Sequence, residues 1–273
     1  MRRVGIAAVL LVALALAGWA VIVMVAAGLP QPGDLATRAP VATQVMRDRV
    51  REAAAHGRRL RIERVWVPYE RISPLLRRAV LIAEDDAFFS HDGLDWDEIG
   101  QSARANLRAG RIVRGGSTIT QQLAKNLWLG GQRTLTRKLA EMILALRLER
   151  ALTKRRIFEL YLNEIEWGDG VFGIEAASRH WFGTTSADLT PRQAAYLAAV
   201  IINPRRYSPA DPSRRIERRA HLILSRMHRR GFIDDADYAR ALGLPPPDTT
   251  RGADTTGRID TTAAGPLSPP ATP

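Results

Sequence analysis

The chain contains no cysteine, which removes disulfide frameworks, thiolate zinc sites and cysteine nucleophiles together. That absence leaves the compartment open, because a thiol-free protein suits oxidising and reducing surroundings alike. Lysine is almost missing too. Lys125, Lys138 and Lys154 stand against 37 arginines, the 40 basic residues less three. A GC-rich genome produces such a ratio, so most arginines carry little individual meaning. Three lysines kept within 30 residues of one another ask for a reason. No lysine follows a glycine run at nucleotide P-loop spacing, no internal repeat occurs, and aromatic residues make up only 6%.

What is present suits a folded protein. The 273 residues are 46% hydrophobic and 25% charged, which excludes wholesale disorder and allows one large domain or two small ones. The net charge of +12 is unevenly distributed: residues 104–156 hold 13 basic and 2 acidic residues, whereas 84–98 hold seven acidic and no Lys or Arg. An acid cluster abutting a cationic stretch suits a phosphate-bearing partner, whether nucleic acid, anionic lipid or pyrophosphate.

Residues 4–29 form a 26-residue run without a charge, roughly 39 Å of helix, longer than the ~30 Å hydrocarbon core requires. A signal peptide has a much shorter apolar region, so the run reads as a retained transmembrane anchor. Arg2 and Arg3 before it place residues 1–3 in the cytoplasm and the remainder outside. Residues 30–45, with Pro30, Pro32, Gly33 and Pro40, read as a linker. From 46 to 243 the pattern is that of one mainly α domain. Ser73-Pro74 is a helix start leading to Glu84, and helices are predicted near 96–109, 118–128, 133–151, 154–163, 173–181, 191–202, 213–229 and 234–241. The glycine-rich stretch 166–173 reads as a tight loop. Residues 244–273 carry seven of the sixteen prolines and read as a disordered tail.

Four segments can carry chemistry. In Ala83–Gly93, Glu84 ends an apolar helix, where the macrodipole and two adjacent aspartates would raise its pKa toward that of a general base. The alternative is a solvated acidic helix end with Phe88 and Phe89 in the core. In Gly115–Asn126, Thr118 and Gln121 form a capping box, and the glycines leave N–H groups free to meet an anion. Gln121 with Lys125, and Gln122 with Asn126, share helix faces. In Arg137–Glu141, the helix is apolar nearly all round and therefore reads as buried, so Glu141 needs a partner such as Arg137. Lys154–Asn163 followed by Glu166–Gly173 reads as architecture. Two carboxylates in different settings beside cations are what acid/base glycosyl chemistry requires.

In order, the motifs AEDDAFFSHDG, GGSTITQQLAKN, RKLAE, KRRIFELYLN and LTPRQAAYLAAVIINP resemble those of the peptidoglycan glycosyltransferases, the family that includes the glycosyltransferase module of class A penicillin-binding proteins. EWGDGVFGIEAASRHWFG is similar to the monofunctional biosynthetic transglycosylases in particular. One departure is Ile202, where monofunctional relatives usually carry proline. Neither Ser-x-x-Lys nor Lys-Thr-Gly occurs, so no transpeptidase is expected.

The resemblance implies a lysozyme-like helical domain in the bacterial inner membrane, its catalytic part periplasmic. Such a domain polymerises lipid II into β-1,4-linked strands, with inversion and release of undecaprenyl pyrophosphate. By motif match Glu84 is the general base. Glu141 is the second essential carboxylate, with two roles open: positioning substrate, or holding a divalent cation (Mg2+ or Mn2+) against the pyrophosphate. No cofactor is obligatory. Lys125, Arg137 and Lys138 match the cations that stabilise the leaving group. Asp85, Phe88, His91, Thr118, Gln122 and Asn126 complete the substrate site. The expected partners are lipid II, the nascent strand and the membrane, with other cell-wall synthesis or division proteins open and nucleic acid excluded. Arg104, Arg108, Arg111 and Arg114 would give a basic helical face for anionic headgroups. Two competing readings are a lytic enzyme that cleaves glycan strands and a tethered basic protein that binds acidic polymer.

Overall fold

The structure, a computed structural model, describes residues 2–111, 115–131 and 134–245, with side chains from residue 11 onward. The proline-rich stretch beyond 245, Met1 and Arg114 lie outside the described residues.

The architecture is mainly helical. Helix α1 is Arg2–Ala27, α2 is Gln44–Ala55 and α3 is Pro74–Glu84. Next come α4 (Trp96–Ala109) and α5 (Ile119–Ala124), the latter running into a π-helical turn at Lys125–Leu129. The chain continues through α6 (Leu135–Ala151), α7 (Lys154–Glu164), α8 (Ile174–Phe182), α9 (Pro191–Val200), α10 (Arg214–Arg229) and α11 (Asp235–Leu242). Counted over the described side chains, 11–27, α1 covers about 26 Å. Among the described residues no helix is long and apolar enough to cross a membrane.

Helix α9 is the centre of one layer. Ala194, Ala195, Tyr196, Leu197, Ala198, Ala199 and Val200 are all buried, because alanine on every side lets α3 and α10 approach closely. Pro191 at its first turn and a capping box between Thr190 and Gln193 fix where it begins. The second layer is α5 against α6 and α7. Phe88, Phe158, Tyr161, Leu144 and Leu148, all fully buried, belong to one continuous apolar cluster.

Three local expectations change. Ser73 occupies the N-cap of α3, but its side chain makes no capping bond. Its backbone N–H instead donates to Ser186 O at 2.9 Å. The glycine-rich stretch 166–173 is a hairpin rather than a plain loop: β2 (Glu166–Gly168) pairs antiparallel with β3 (Val171–Phe172), and β3 pairs parallel with β1 (Glu63–Arg64). Strands this short leave no alternation to read. On α6 the buried face is Ala140, Glu141, Leu144, Ala145 and Leu148, whereas Leu135 is 91% exposed. Helix α1 also packs against α6.

Residues 30–45 are docked on the domain. Pro32 and Leu35 are buried, and Thr43, fully buried, caps α2 by accepting from Met46 N at 3.1 Å.

Candidate active site

Glu84 is the last residue of α3, and its carboxylate is held from two sides. Gln122 Nε2 donates to Oε2 at 3.0 Å, and Arg219 Nη2 donates to Oε1 at 2.9 Å. The same Arg219 nitrogen donates to Ala83 O at 3.0 Å, covering a carbonyl at the end of the helix. Burial pushes the Glu84 pKa up, and the bonds from Gln122 and Arg219 with the charge of Lys125 act against it.

The direction expected from the sequence is present, but its cause differs. The neighbouring aspartates are turned away and engaged elsewhere. Asp85 accepts from Ile119 N at 2.9 Å and faces His91 Nε2 at 3.1 Å. Asp86 is ion-paired with Arg230, which holds its carboxyl below the usual range.

Asp85 also settles what the glycine-led start of α5 binds. Ile119 N–H is taken by Asp85, Thr118 N–H by Gln121 Oε1, and Gln121 N–H by Thr118 Oγ1. The anion at that helix start is a carboxylate of the protein itself. Thr118 Oγ1 also donates to Gly93 O at 2.6 Å, so Thr118 ties the first motif to the second.

Glu141, 3% exposed, has both oxygens occupied: Arg137 Nη1 lies 2.6 Å from Oε2, and Lys138 Nζ bonds Oε1. Lys138 also donates to Ser117 Oγ at 2.8 Å. Lys125 lies between the two carboxylates. Burial lowers its pKa, the charges of Glu141 and Glu84 raise it, and those of Arg137 and Lys138 lower it. Its ammonium makes no hydrogen bond or ion pair to any described residue. Asn126 Nδ2 donates to Gln122 O at 2.7 Å, one turn back along its own helix.

These groups stand between two cavities. One, of about 470 Å3, is lined by Gln122, Lys125, Asn126, Arg137 and Tyr161, together with Asp48, Arg49 and Glu52 of α2 and with Asn203 and Arg205. The second, of about 370 Å3, is lined by Glu84, Asp85, Asp86, Asp95, Glu98, Gly115–Thr118 and Arg226. The Glu84–Gln122 bond joins a residue of the second, acidic cavity to one of the first, which is of mixed charge.

Of the residues singled out from sequence, Glu84, Gln122, Lys125, Asn126, Arg137, Asp85 and Thr118 line a cavity. Lys138 and Glu141 stand directly behind Arg137. Phe88 is fully buried beside Phe158 and His91, and His91 acts through Asp85. Two functional groups escaped the sequence reading. Arg219 hides among the arginines of α10, and no spacing could connect residue 219 with residue 84. Tyr161, fully buried, donates its hydroxyl to Gln122 Oε1 at 3.1 Å. The motif containing it reads as architecture.

A divalent cation fits poorly at Glu141. Both its oxygens already face cations, and among the described residues no group of three His, Asp or Glu could hold a metal.

Chemically, the site offers a buried carboxyl of raised pKa beside an acidic hollow, and an unpaired ammonium with two further cations beside the other. Comparison with known proteins identifies the family. The family described as Transglycosylase matches residues 52–228. A "Biosynthetic peptidoglycan transglycosylase" of Nitrosomonas eutropha is 46% identical over 188 residues, 69% of this chain and 77% of that one. Proteins of the same name are 54% identical over 162 residues in Methylobacillus flagellatus (59% and 71% covered) and 47% over 188 in Dechloromonas aromatica (69% and 81%).

Proposed function

The chain belongs to the transglycosylase family and is a peptidoglycan glycosyltransferase, and from that premise we propose how its residues divide the work. Glu84 is the general base. Its carboxylate takes the proton from the 4-hydroxyl of the acceptor sugar of lipid II, seated in the acidic cavity. That oxygen attacks the anomeric carbon of the growing strand, and the bond to the pyrophosphate breaks. The α-linked donor becomes a β-1,4 link, so the displacement inverts. The observation that carries this reading is the position of Glu84: buried, raised in pKa, and bonded across the wall between the two cavities.

Lys125, Arg137 and Lys138 hold the charge that develops on the departing undecaprenyl pyrophosphate. Preorganised cations of this kind act on the transition state, where the charge appears. Lys125 is the best placed, because it has no competing ion-pair partner. Arg137 and Lys138 are aligned by Glu141, which makes Glu141 a positioning carboxylate. A cation at Glu141 would have to displace one of these partners.

The fold is read as lysozyme-like, with a glutamate at the end of a core helix overlooking a cleft. Residues 4–29 are read as the membrane anchor on their uncharged length. The N-terminus is then cytoplasmic and the domain periplasmic. Arg104, Arg108 and Arg111 are all exposed on or just beyond α4, where anionic headgroups can meet them.

The test is to incubate purified full-length protein with labelled lipid II, with and without EDTA, and separate the products on a gel. A ladder that muramidase digests, that persists in EDTA and that Glu84→Gln abolishes is the expected result. No ladder, with soluble fragments released from mature peptidoglycan, would overturn the synthetic reading in favour of a lytic one.

A further inference from the structure

Between the end of α1 and the start of α2 the chain has little regular structure, and prolines at 30, 32 and 40 donate no hydrogen bonds. Carbonyls in such a segment need partners from elsewhere when they dock on a protein surface. Three arginines supply them. Arg147 of α6 reaches Ala26 O through Nη2 at 2.8 Å, and Leu29 O and Pro30 O through Nη1 at 2.7 and 3.1 Å. Arg156 of α7 donates Nε to Leu35 O at 2.8 Å and Nη2 to Arg38 O at 2.9 Å. Arg64 of β1 donates Nη1 to Pro40 O at 2.9 Å and to Val41 O at 3.1 Å.

The guanidinium fork suits this task, since one rigid plane offers several donors at once. Two of these arginines are also braced. Arg156 pairs with Glu159 at 3.1 Å and lies over Trp66, and Arg64 pairs with the buried Glu164. Arg147 in addition places a positive charge against the C-terminal carbonyls of α1, where the helix dipole favours it.

The consequence lies in α6. This helix carries Arg137, Lys138 and Glu141 near its start and Arg147 near its end. Six to ten residues of α-helix separate them, roughly 9–15 Å. One rigid rod therefore joins the end of the membrane helix to the cations that meet the pyrophosphate. In a lipid-linked substrate the pyrophosphate sits where the tail leaves the hydrocarbon, only about 5–8 Å of headgroup layer from bulk water.

We propose that Arg64, Arg147 and Arg156 form a clamp on residues 26–41 that fixes the catalytic cleft at a set height and angle over the bilayer, instead of leaving it to swing on a tether. These are positioning residues, and the proposal rests on the anchor reading and the transferase reading above. A domain on a loose tether would spend much of its time turned away from headgroups that cannot leave the membrane, and misplacement far from the chemistry is enough to slow it.

The absence of cysteine makes the test direct. Labels are placed through Ala20→Cys on α1 and Gln101→Cys on α4 in the full-length protein in lipid nanodiscs. Spin-label distances are compared between the clamp-intact protein and the Arg147→Met/Arg156→Met variant. Strand formation from labelled lipid II is measured for both in nanodiscs and in detergent micelles, where substrate approaches from any side. The expected result is one narrow distance that broadens in the variant, with activity down roughly tenfold in nanodiscs and within about twofold in micelles. Arg147→Lys, which keeps the charge but offers one donor nitrogen in place of the planar fork, should lie between.

A narrow distance in the variant, or equal losses in both media, would overturn the clamp; equal losses would mean plain destabilisation, which a melting curve would show. Failure of the underlying readings looks different. If the unsubstituted protein does not float with vesicles, the anchor is wrong, and if it forms no strands in either medium, the transferase is wrong.

Discussion

Tyr161→Phe isolates the contribution of a residue that reaches the base only through Gln122. The Tyr161 hydroxyl is fully buried and bonds Gln122 Oε1 at 3.1 Å, and Gln122 Nε2 then bonds Glu84 at 3.0 Å. Burial, with the charges of Glu84 and Asp85, keeps the phenol far above its ordinary pKa, so the hydroxyl is always a donor at working pH. The acceptor-only carboxylate of Glu84 takes the amide nitrogen, and the Tyr161 hydroxyl then donates to the amide oxygen and holds that orientation. Phenylalanine keeps the ring and leaves Oε1 without a partner, at about 1–3 kcal/mol for a buried acceptor. Part of this appears as stability and part as lost alignment. If about 1–2 kcal/mol falls on the transition state, kcat drops roughly 5- to 30-fold, since about 1.4 kcal/mol is tenfold. Initial rates of strand formation across pH, with a melting curve on the same samples, measure both shares. Gln122 holds the Glu84 pKa down, so its misorientation moves the acid limb of the rate profile to higher pH. A lowered melting temperature with unchanged kcat and an unmoved acid limb would refute the relay and leave Tyr161 as packing.

Arg219→Met removes a second of the groups that hold Glu84 down. Burial then acts with less opposition and the Glu84 pKa rises further. The base works only when deprotonated, so the acid limb moves upward, and activity lost at neutral pH returns as pH is raised. An unmoved limb in the pH–rate profile would show that Arg219 does not govern the base. Gly173→Ala tests the scaffold. Its φ is +80°, and a Cβ there would lie 2.7 Å from the backbone oxygen of Asn163. Left-handed strain alone costs about 1–2 kcal/mol, and with the clash the melting temperature should fall roughly 5–10 °C. A fall of under a degree or two would mean that the 163–173 junction yields easily.

Much of this was legible in sequence because helix signals are local. The predicted segments near 96–109, 154–163 and 213–229 fall on α4, α7 and α10 within a residue at each end. The capping box at Thr118 is present as read. What escaped depends on distance along the chain. Asn163, inside the YLN motif, accepts from Val67 N at 3.0 Å and donates to Val67 O at 2.9 Å. It ties α7 to a segment 96 residues away, which local pattern cannot reveal. Arg219 and Arg230 pair with Glu84 and Asp86 across 135 and 144 residues. In a chain so rich in arginine, neither could be told from a solvated surface residue. The docking of residues 30–45 was hidden for a related reason: proline and glycine mark irregular backbone, and irregular backbone can still be gripped by its carbonyls.

The acidic cluster of 84–98 shows how one composition signal divides into separate tasks. Asp85 satisfies a helix start and meets His91. Asp86 is neutralised by Arg230 at the surface. Asp95 caps α4 by accepting from Glu98 N at 2.7 Å. With these three assigned, Glu84 stands out as the carboxyl that combines burial, a raised pKa and a bond to a residue of the other cavity. Glu141 is the opposite case: a carboxylate whose oxygens are both spent aligning Arg137 and Lys138, and so in no position to receive a proton from substrate. The cations divide in the same way. Lys138 is bound to Glu141 and Ser117, and Arg137 to Glu141, while Lys125, between the carboxylates and paired with neither, is left to answer a new negative charge. On the roles proposed above, environment sets Glu84 apart from the other carboxylates as base and Lys125 apart from the other cations as leaving-group stabiliser, so that one site favours proton removal on one side and pyrophosphate departure on the other.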